Sequence, residues 1–261
     1  MLTKLIAILI ILAGIAGLIL PVIPGILLIT IGVLLLYRDK LGEIRRLLPE
    51  KIPAFAAAIY NSTVTKMLMP YYGMIRDEIV LSEGQFLLDV GTGPGILAIE
   101  LAGKFPRARV AGIDLSEKMI ELADKNKSLH PDLSNLEFRV MDAKALEFPD
   151  NSFDMIISTG SMHHWKDPLR ILNEIYRCLK PGRSAWIYDG SADAKDADIE
   201  KSVKRLWGIL PSNAMVRYAL GIHGYTGKEY DGEVAAVISK SDFKEYVSEC
   251  RGVMMRIILT K

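Results

Sequence analysis

The spacing of apolar positions divides the chain into two unlike parts. From Leu5 to Tyr37 no side chain is charged, and Thr30 is the only polar one. From Gln85 onward, short apolar runs alternate with amphipathic ones. Phe86–Val90, Arg109–Ile113, Leu136–Met141, Asp154–Ser158 and Ser184–Tyr188 read as strands. Ile96–Lys104, Glu117–Lys127 and Pro168–Leu179 read as the helices between them. Such a βαβ succession predicts a parallel sheet covered by helices on both faces. Residues 191–240 break the series with amphipathic stretches that include Leu206–Pro211 and Met215–Leu220, a helical insert or lid. Within it, Thr226-Gly-Lys-Glu229 has the form of a capping box.

As one straight helix the N-terminal apolar run would be roughly 50 Å long, against a hydrocarbon core of about 30 Å. Pro21, Pro24 and Gly25 interrupt it near the middle and favour a turn. Two antiparallel spans follow, with Ala13, Gly17 and Gly32 small enough for close backbone approach. Lys4 precedes the pair, and Arg38, Lys40, Arg45 and Arg46 follow it, which places both ends on the cytoplasmic side. A cleaved secretory signal explains less, because cleavage near Ala16 leaves an uncharged stretch from Gly17 to Tyr37. The organisation expected is a membrane-anchoring hairpin over 1–40, juxtamembrane and cap helices over 41–84, and a catalytic domain over 85–261. The partner of residues 5–37 is then a membrane, with the catalytic domain on its cytoplasmic side.

Composition adds exclusions. A formal net charge of +1 gives no field suited to nucleic acid. Cys178 and Cys250 match neither a metal spacing nor a redox motif, and no metal site is expected from sequence.

The chemistry concentrates after the first strand, in Asp89-Val-Gly-Thr-Gly-Pro-Gly95. Gly91, Gly93 and Gly95 permit positive φ and let a ligand reach the backbone; Thr92 lies among them. A glycine loop alone also suits dinucleotides. Here the spacing is GxGxG, and Asp89 stands two residues before the first glycine. A carboxylate repels a pyrophosphate and attracts the cationic amino acid and sulfonium of S-adenosylmethionine. Asp114 ends the second strand, where a carboxylate can accept from both ribose hydroxyls, and Ser116 follows as a helix N-cap. Asp142, with Ala143 after the third strand, can accept an adenine amino group.

These segments, with Phe148-Pro-Asp-Asn-Ser-Phe-Asp154, Met162-His-His-Trp-Lys-Asp-Pro168 and Leu179-Lys-Pro-Gly182, resemble class I S-adenosylmethionine-dependent methyltransferases. The branch resembled includes the ubiquinone/menaquinone-biosynthesis enzymes. The resemblance implies a seven-stranded Rossmann-like α/β sheet whose last strand, Val253–Thr260, is antiparallel. It implies cofactor contacts at the positions named and at Ser158, with Leu115 and Met119 flanking the adenine. Arg183 departs from the pattern, where a second glycine is usual after Leu-Lys-Pro-Gly. After the fourth strand stand His163 and His164, a residue type that titrates near neutrality if unperturbed, so either can accept a proton from a substrate hydroxyl, or else both shape the loop around Trp165. The acceptor expected is small or lipid-like. Arsenite chemistry is disfavoured by the scarcity of cysteine. A nicotinamide-dependent oxidoreductase, or a catalytically silent membrane-bound cofactor-binding protein, are the alternatives; the first lacks a Tyr-x-x-x-Lys pair after the fourth strand.

Overall fold

A computed structural model describes residues 49–51, 61, 65–205 and 213–261, together with Lys4 and Ile8. The chain divides into two units, Met1–Leu47 and Leu48–Lys261, and the α/β fold is that of the second. The expected hairpin over residues 5–37, Ile8 apart, lies outside the described residues, as do residues 206–212 of the insert. Among the described residues no helix is long and apolar enough to cross a membrane.

Helix α1 (Thr65–Glu78) leads into β1 (Phe86–Val90), α2 (Ile96–Lys104), β2 (Arg109–Asp114), α3 (Glu117–Lys127) and β3 (Leu136–Val140). Then come β4 (Phe153–Thr159), a 3-10 turn (Met162–His164), α4 (Pro168–Cys178), β5 (Leu179–Ser191), α5 (Asp196–Arg205) and α6 (Asn213–His223). The two-residue β6 (Gly224–Tyr225) precedes a helical run that ends in α7 (Ala235–Lys240), and β7 (Glu245–Arg251) and β8 (Met254–Thr260) close the fold.

The sheet order is β3-β2-β1-β4-β5-β8-β7, with β6 beside β5. β1 to β5 are parallel, and β8 runs antiparallel to both neighbours, as the resemblance implied. Seven long strands were expected; the eighth is the short β6, which brings the end of α6 against β5 at Gly190. β1 is apolar on both faces because helices cover both: Leu88 and Val90 join the core with α4 and α7. Leu87 joins Tyr72 and Ile75 of α1 and Leu97 and Leu101 of α2 in the core of the other face.

Local chemistry sets the element ends. Gly95 caps α2 at φ 77°, where an added Cβ would lie 2.4 Å from Phe138 Cζ. Asp167 caps α4, its carboxylate accepting from the Arg170 N–H, and Pro168 follows as the first helical residue. Thr226 and Glu229 form the capping box in full. Arg183 lies inside β5. Its guanidinium is 3.4 Å from the buried Asp154, which Lys180 also holds at 2.6 Å. At the start of β4, away from the carboxyl edge of the sheet, this pairing accounts for a cation in place of glycine.

Candidate active site

The strand order reverses between β1 and β4, and a parallel sheet opens a crevice at the carboxyl ends of its strands at such a point. A cleft of ≈ 940 Å³, counted out to its open mouth, lies there. Asp89 to Pro94 line it from β1, Asp114 and Leu115 from β2, Met141 to Ala143 from the loop after β3, and Thr159 to Ser161 from the end of β4. Met119 and His164 also face it, and Glu50 and Lys51 close one side. Lys144 draws Glu50 in, its ammonium 3.0 Å from the Glu50 carboxylate and 3.6 Å from Asp142.

The carboxylates differ in character. Asp89 is 2% exposed and accepts a 2.7 Å hydrogen bond from the Thr92 hydroxyl. Burial pushes its carboxyl up to about 7, Thr92 opposes the shift, and the nearby Asp114 adds to it. Asp114 is raised too, by burial, although the Ser116 and Gly93 N–H groups donate to it at 2.8 and 3.0 Å. Those two bonds fix the plane of the Asp114 carboxylate at the mouth of the glycine loop. Asp142 accepts from the Lys144 N–H at 2.9 Å.

The glycines divide their work. Gly91 and Gly95 serve packing as well as conformation, since a Cβ on Gly91 would lie 2.7 Å from the Ser161 Cβ. Gly93, at φ 54°, has nothing within 4 Å of where a Cβ would stand. That open space on the cleft wall admits the backbone approach a bound cofactor requires. Thr159 Oγ1 is buried in the same wall with no hydrogen-bond partner among the described residues. An orphaned hydroxyl, a cradle at Gly93, the buried Asp89 and the half-buried Asp114 suit a ligand that brings hydroxyls, an amino group and positive charge.

Ser158 and Gly95 stand apart from the cleft lining. The Ser158 hydroxyl is buried, donates to the Val90 carbonyl at 2.8 Å and meets Ser161 Oγ at 2.6 Å, so it ties β4 to β1. Of the two candidate bases, only His164 faces the cleft. His163 lies behind it, its side chain 5% exposed, with both ring nitrogens engaged. Nδ1 is 2.8 Å from Asp189 Oδ1, and Nε2 is 2.9 Å from His223 Nδ1. His164 Nδ1 sits 2.8 Å from the Pro49 carbonyl oxygen. Desolvation, then the neighbouring His163, lower His164 to about 4; His223 is lowered to about 4 by desolvation and both other imidazoles. Asp189 and His223 escaped the sequence reading. Asp189 carried a signal, a carboxylate ending a parallel strand, whereas His223 carried none.

With this geometry in place, the comparison with known families is decisive. Residues 88–187 match the model of the methyltransferase domain. Residues 88–187 therefore carry a methyltransferase domain. Among relatives of this chain, an arsenite methyltransferase of Aquipseudomonas alcaligenes is 27% identical over 77% of this chain and 61% of its own. A demethylmenaquinone methyltransferase of Listeria monocytogenes is 36% identical over 42% of this chain and 47% of its own. The chain therefore spans less than two thirds of the length of these relatives. A crystal structure of a candidate S-adenosyl-L-methionine-dependent methyltransferase from Methanococcus maripaludis shares the fold. It has a TM-score of 0.66 at 23% identity, covering 81% of this chain and 94% of that chain.

Proposed function

We propose that this chain transfers a methyl group from S-adenosylmethionine to a small or lipid-like acceptor. The observation that carries the reading is the placement of Asp89, Asp114 and Asp142 at the ends of three parallel strands along one cleft. Bound S-adenosylmethionine supplies an electrophilic methyl on a sulfonium. Asp89, once ionised, would balance the positive charge of the amino acid end; Asp114 would accept from the ribose hydroxyls and Asp142 from the adenine amino group. Leu115 and Met119 offer apolar surface to the ring. The chief work of the protein is alignment of the two reactants. His164, neutral at pH 7 and donating through Nδ1 to Pro49, holds its Nε2 lone pair for an acceptor proton. A proton leaving the acceptor during methyl transfer would have this imidazole to receive it.

A nicotinamide reading is disfavoured by Asp89, whose ionised carboxylate would oppose a pyrophosphate at the loop. A silent cofactor-binding role would require damage to the cleft, and the named carboxylates are all in place. The thiol-dependent chemistry suggested by the arsenite relative finds no cysteine in the cleft: Cys178 is buried in the core and Cys250 lies on β7. The apolar run over residues 5–37 supports a membrane anchor with the catalytic domain on the cytoplasmic side, and hence an acceptor at the bilayer such as a quinone precursor or lipid head group. The test is incubation of the full chain with methyl-labelled S-adenosylmethionine and separate membrane and soluble extracts. Label entering a lipid-phase product supports the reading; label confined to soluble products refutes the membrane part, and no transfer in either refutes both. Carbonate extraction of membranes reads the anchor independently.

A further inference from the structure

Three of the four histidines of this chain meet at one place. His163 and His164 come from the 3-10 turn after β4, and His223 from the last turn of α6. One ring nitrogen of each lies within 4.8 Å of the others. Hydrogen bonds determine where the lone pairs are. The Asp189 carboxylate accepts from His163 Nδ1–H, which leaves the lone pair on Nε2. A carbonyl only accepts, so His164 donates to Pro49 through Nδ1 and also keeps its lone pair on Nε2. His223 Nδ1 then shares a proton with His163 Nε2 across 2.9 Å.

A proton held between two imidazoles occupies the place of a cation. An ion that takes lone pairs from both needs His223 only to move its proton to Nε2, with no change in charge. Tetrahedral coordination at about 2.0–2.1 Å separates nitrogens by about 3.3 Å, so the 2.9 Å pair opens by about 0.4 Å. Asp189 completes the carboxylate–histidine arrangement that orients metal-binding imidazoles. Its own position is secured, because it also accepts from the N–H groups of His163 at 3.0 Å and Gly190 at 2.8 Å.

We propose that His163, His164 and His223 form a site for a divalent first-row transition ion of the Zn2+ type, with Asp189 as the outer partner of His163. Imidazole ligands without oxygen donors select such ions over Mg2+ or Ca2+. Three protein ligands leave a fourth position open. His164 lines the cleft, so that position is available to a hydroxyl or thiol of the acceptor, whose proton the ion would loosen; with the ion bound, His164 Nε2 is a ligand, and its proton-accepting role belongs to the ion-free enzyme. This last role rests on the methyl-transfer reading; ion binding does not.

The test uses tag-free full-length protein freed of metal by chelation and titrated with Co2+, followed by Zn2+ competition. One equivalent of Co2+ with a visible tetrahedral spectrum, displaced by Zn2+, is the expected result. Asp189→Asn should weaken Co2+ binding by about 10–100-fold. His223→Ala, which leaves the buried Asp189–His163 pair intact, should abolish the spectrum while S-adenosylmethionine still binds by calorimetry. His130→Ala, at the remaining histidine, should change nothing. Failure to bind Co2+ stoichiometrically, or binding that survives His223→Ala unchanged, overturns the proposal. Neither result bears on methyl transfer, which the labelled-cofactor experiment reads separately.

Discussion

Asp89 offers the most direct link between the structure and a measurable equilibrium. Its carboxyl rises from the ordinary 3.8 to about 7 because burial penalises the charge and Asp114 lies nearby. Between those two pH values the folded protein keeps a proton that the unfolded chain has lost. Stability in the absence of cofactor therefore falls as pH rises through that window, by on the order of 4 kcal/mol at about 1.4 kcal/mol per pH unit. S-adenosylmethionine reverses the balance. Its cation beside the carboxyl favours the ionised form, so binding near pH 6 should expel close to one proton from Asp89. If the bound carboxyl returns below pH 5, affinity should fall about tenfold per pH unit from pH 7 to pH 5, roughly a hundredfold in all. Calorimetry in buffers of different ionisation enthalpy counts the proton, and titrations at several pH values give the slope. Asp89→Asn keeps an oxygen for the Thr92 hydroxyl, so it should fold, bind more weakly and lose the pH dependence between 5 and 7. Equal affinity of the wild type at pH 5.5 and 7.5, with no buffer-dependent heat, would refute the placement of the cation at Asp89.

Other outcomes test the remaining parts of the site. Asp114→Ala should weaken S-adenosylmethionine by about 1–3 kcal/mol, read by calorimetry, because ribose hydroxyls lose a buried acceptor. Gly95→Ala forces a Cβ against Phe138 and should lower stability by about 1–3 kcal/mol in denaturant melts. Gly93→Ala meets no neighbour, so it should show the smaller backbone cost of about 1–2 kcal/mol with a larger loss of cofactor affinity. His164→Ala should reduce kcat by about 10²–10⁴ with cofactor affinity intact if its imidazole takes the acceptor proton; activity within a few-fold of wild type would leave alignment as the whole of catalysis.

Periodicity and punctuation make most of the catalytic unit legible from the residues alone. The strand Phe86–Val90 and the helices Ile96–Lys104 and Glu117–Lys127 occur with the bounds their patterns predict, since an apolar run between glycines and a capped amphipathic run each have one economical conformation. The meeting of Asp89, Asp114 and Asp142 along one cleft is legible for the same reason: each stands at or just past a strand end, and strand ends in a parallel sheet converge on one edge. β5 is longer than its apolar centre predicts, because pairing with β4 carries it back to Leu179, while pairing with β8 and the short β6 carries it forward to Ser191. Ser158 shows the reverse limit. Its place in a motif suggested a ligand contact, yet one step along a strand turns a side chain to the opposite face, and its hydroxyl faces Val90.

What only the tertiary structure decided is the company His163 keeps. No spacing in the chain connects Asp189 at the end of β5, His163 after β4 and His223 at the end of α6. They meet because β4 and β5 are neighbours in the sheet and the short β6 pins the end of α6 against Gly190. Sequence determines which side chains can carry charge, protons or metals. Long-range packing determines which of them share a proton, because a hydrogen bond reaches about 3 Å while the chain between its partners runs for 60 residues.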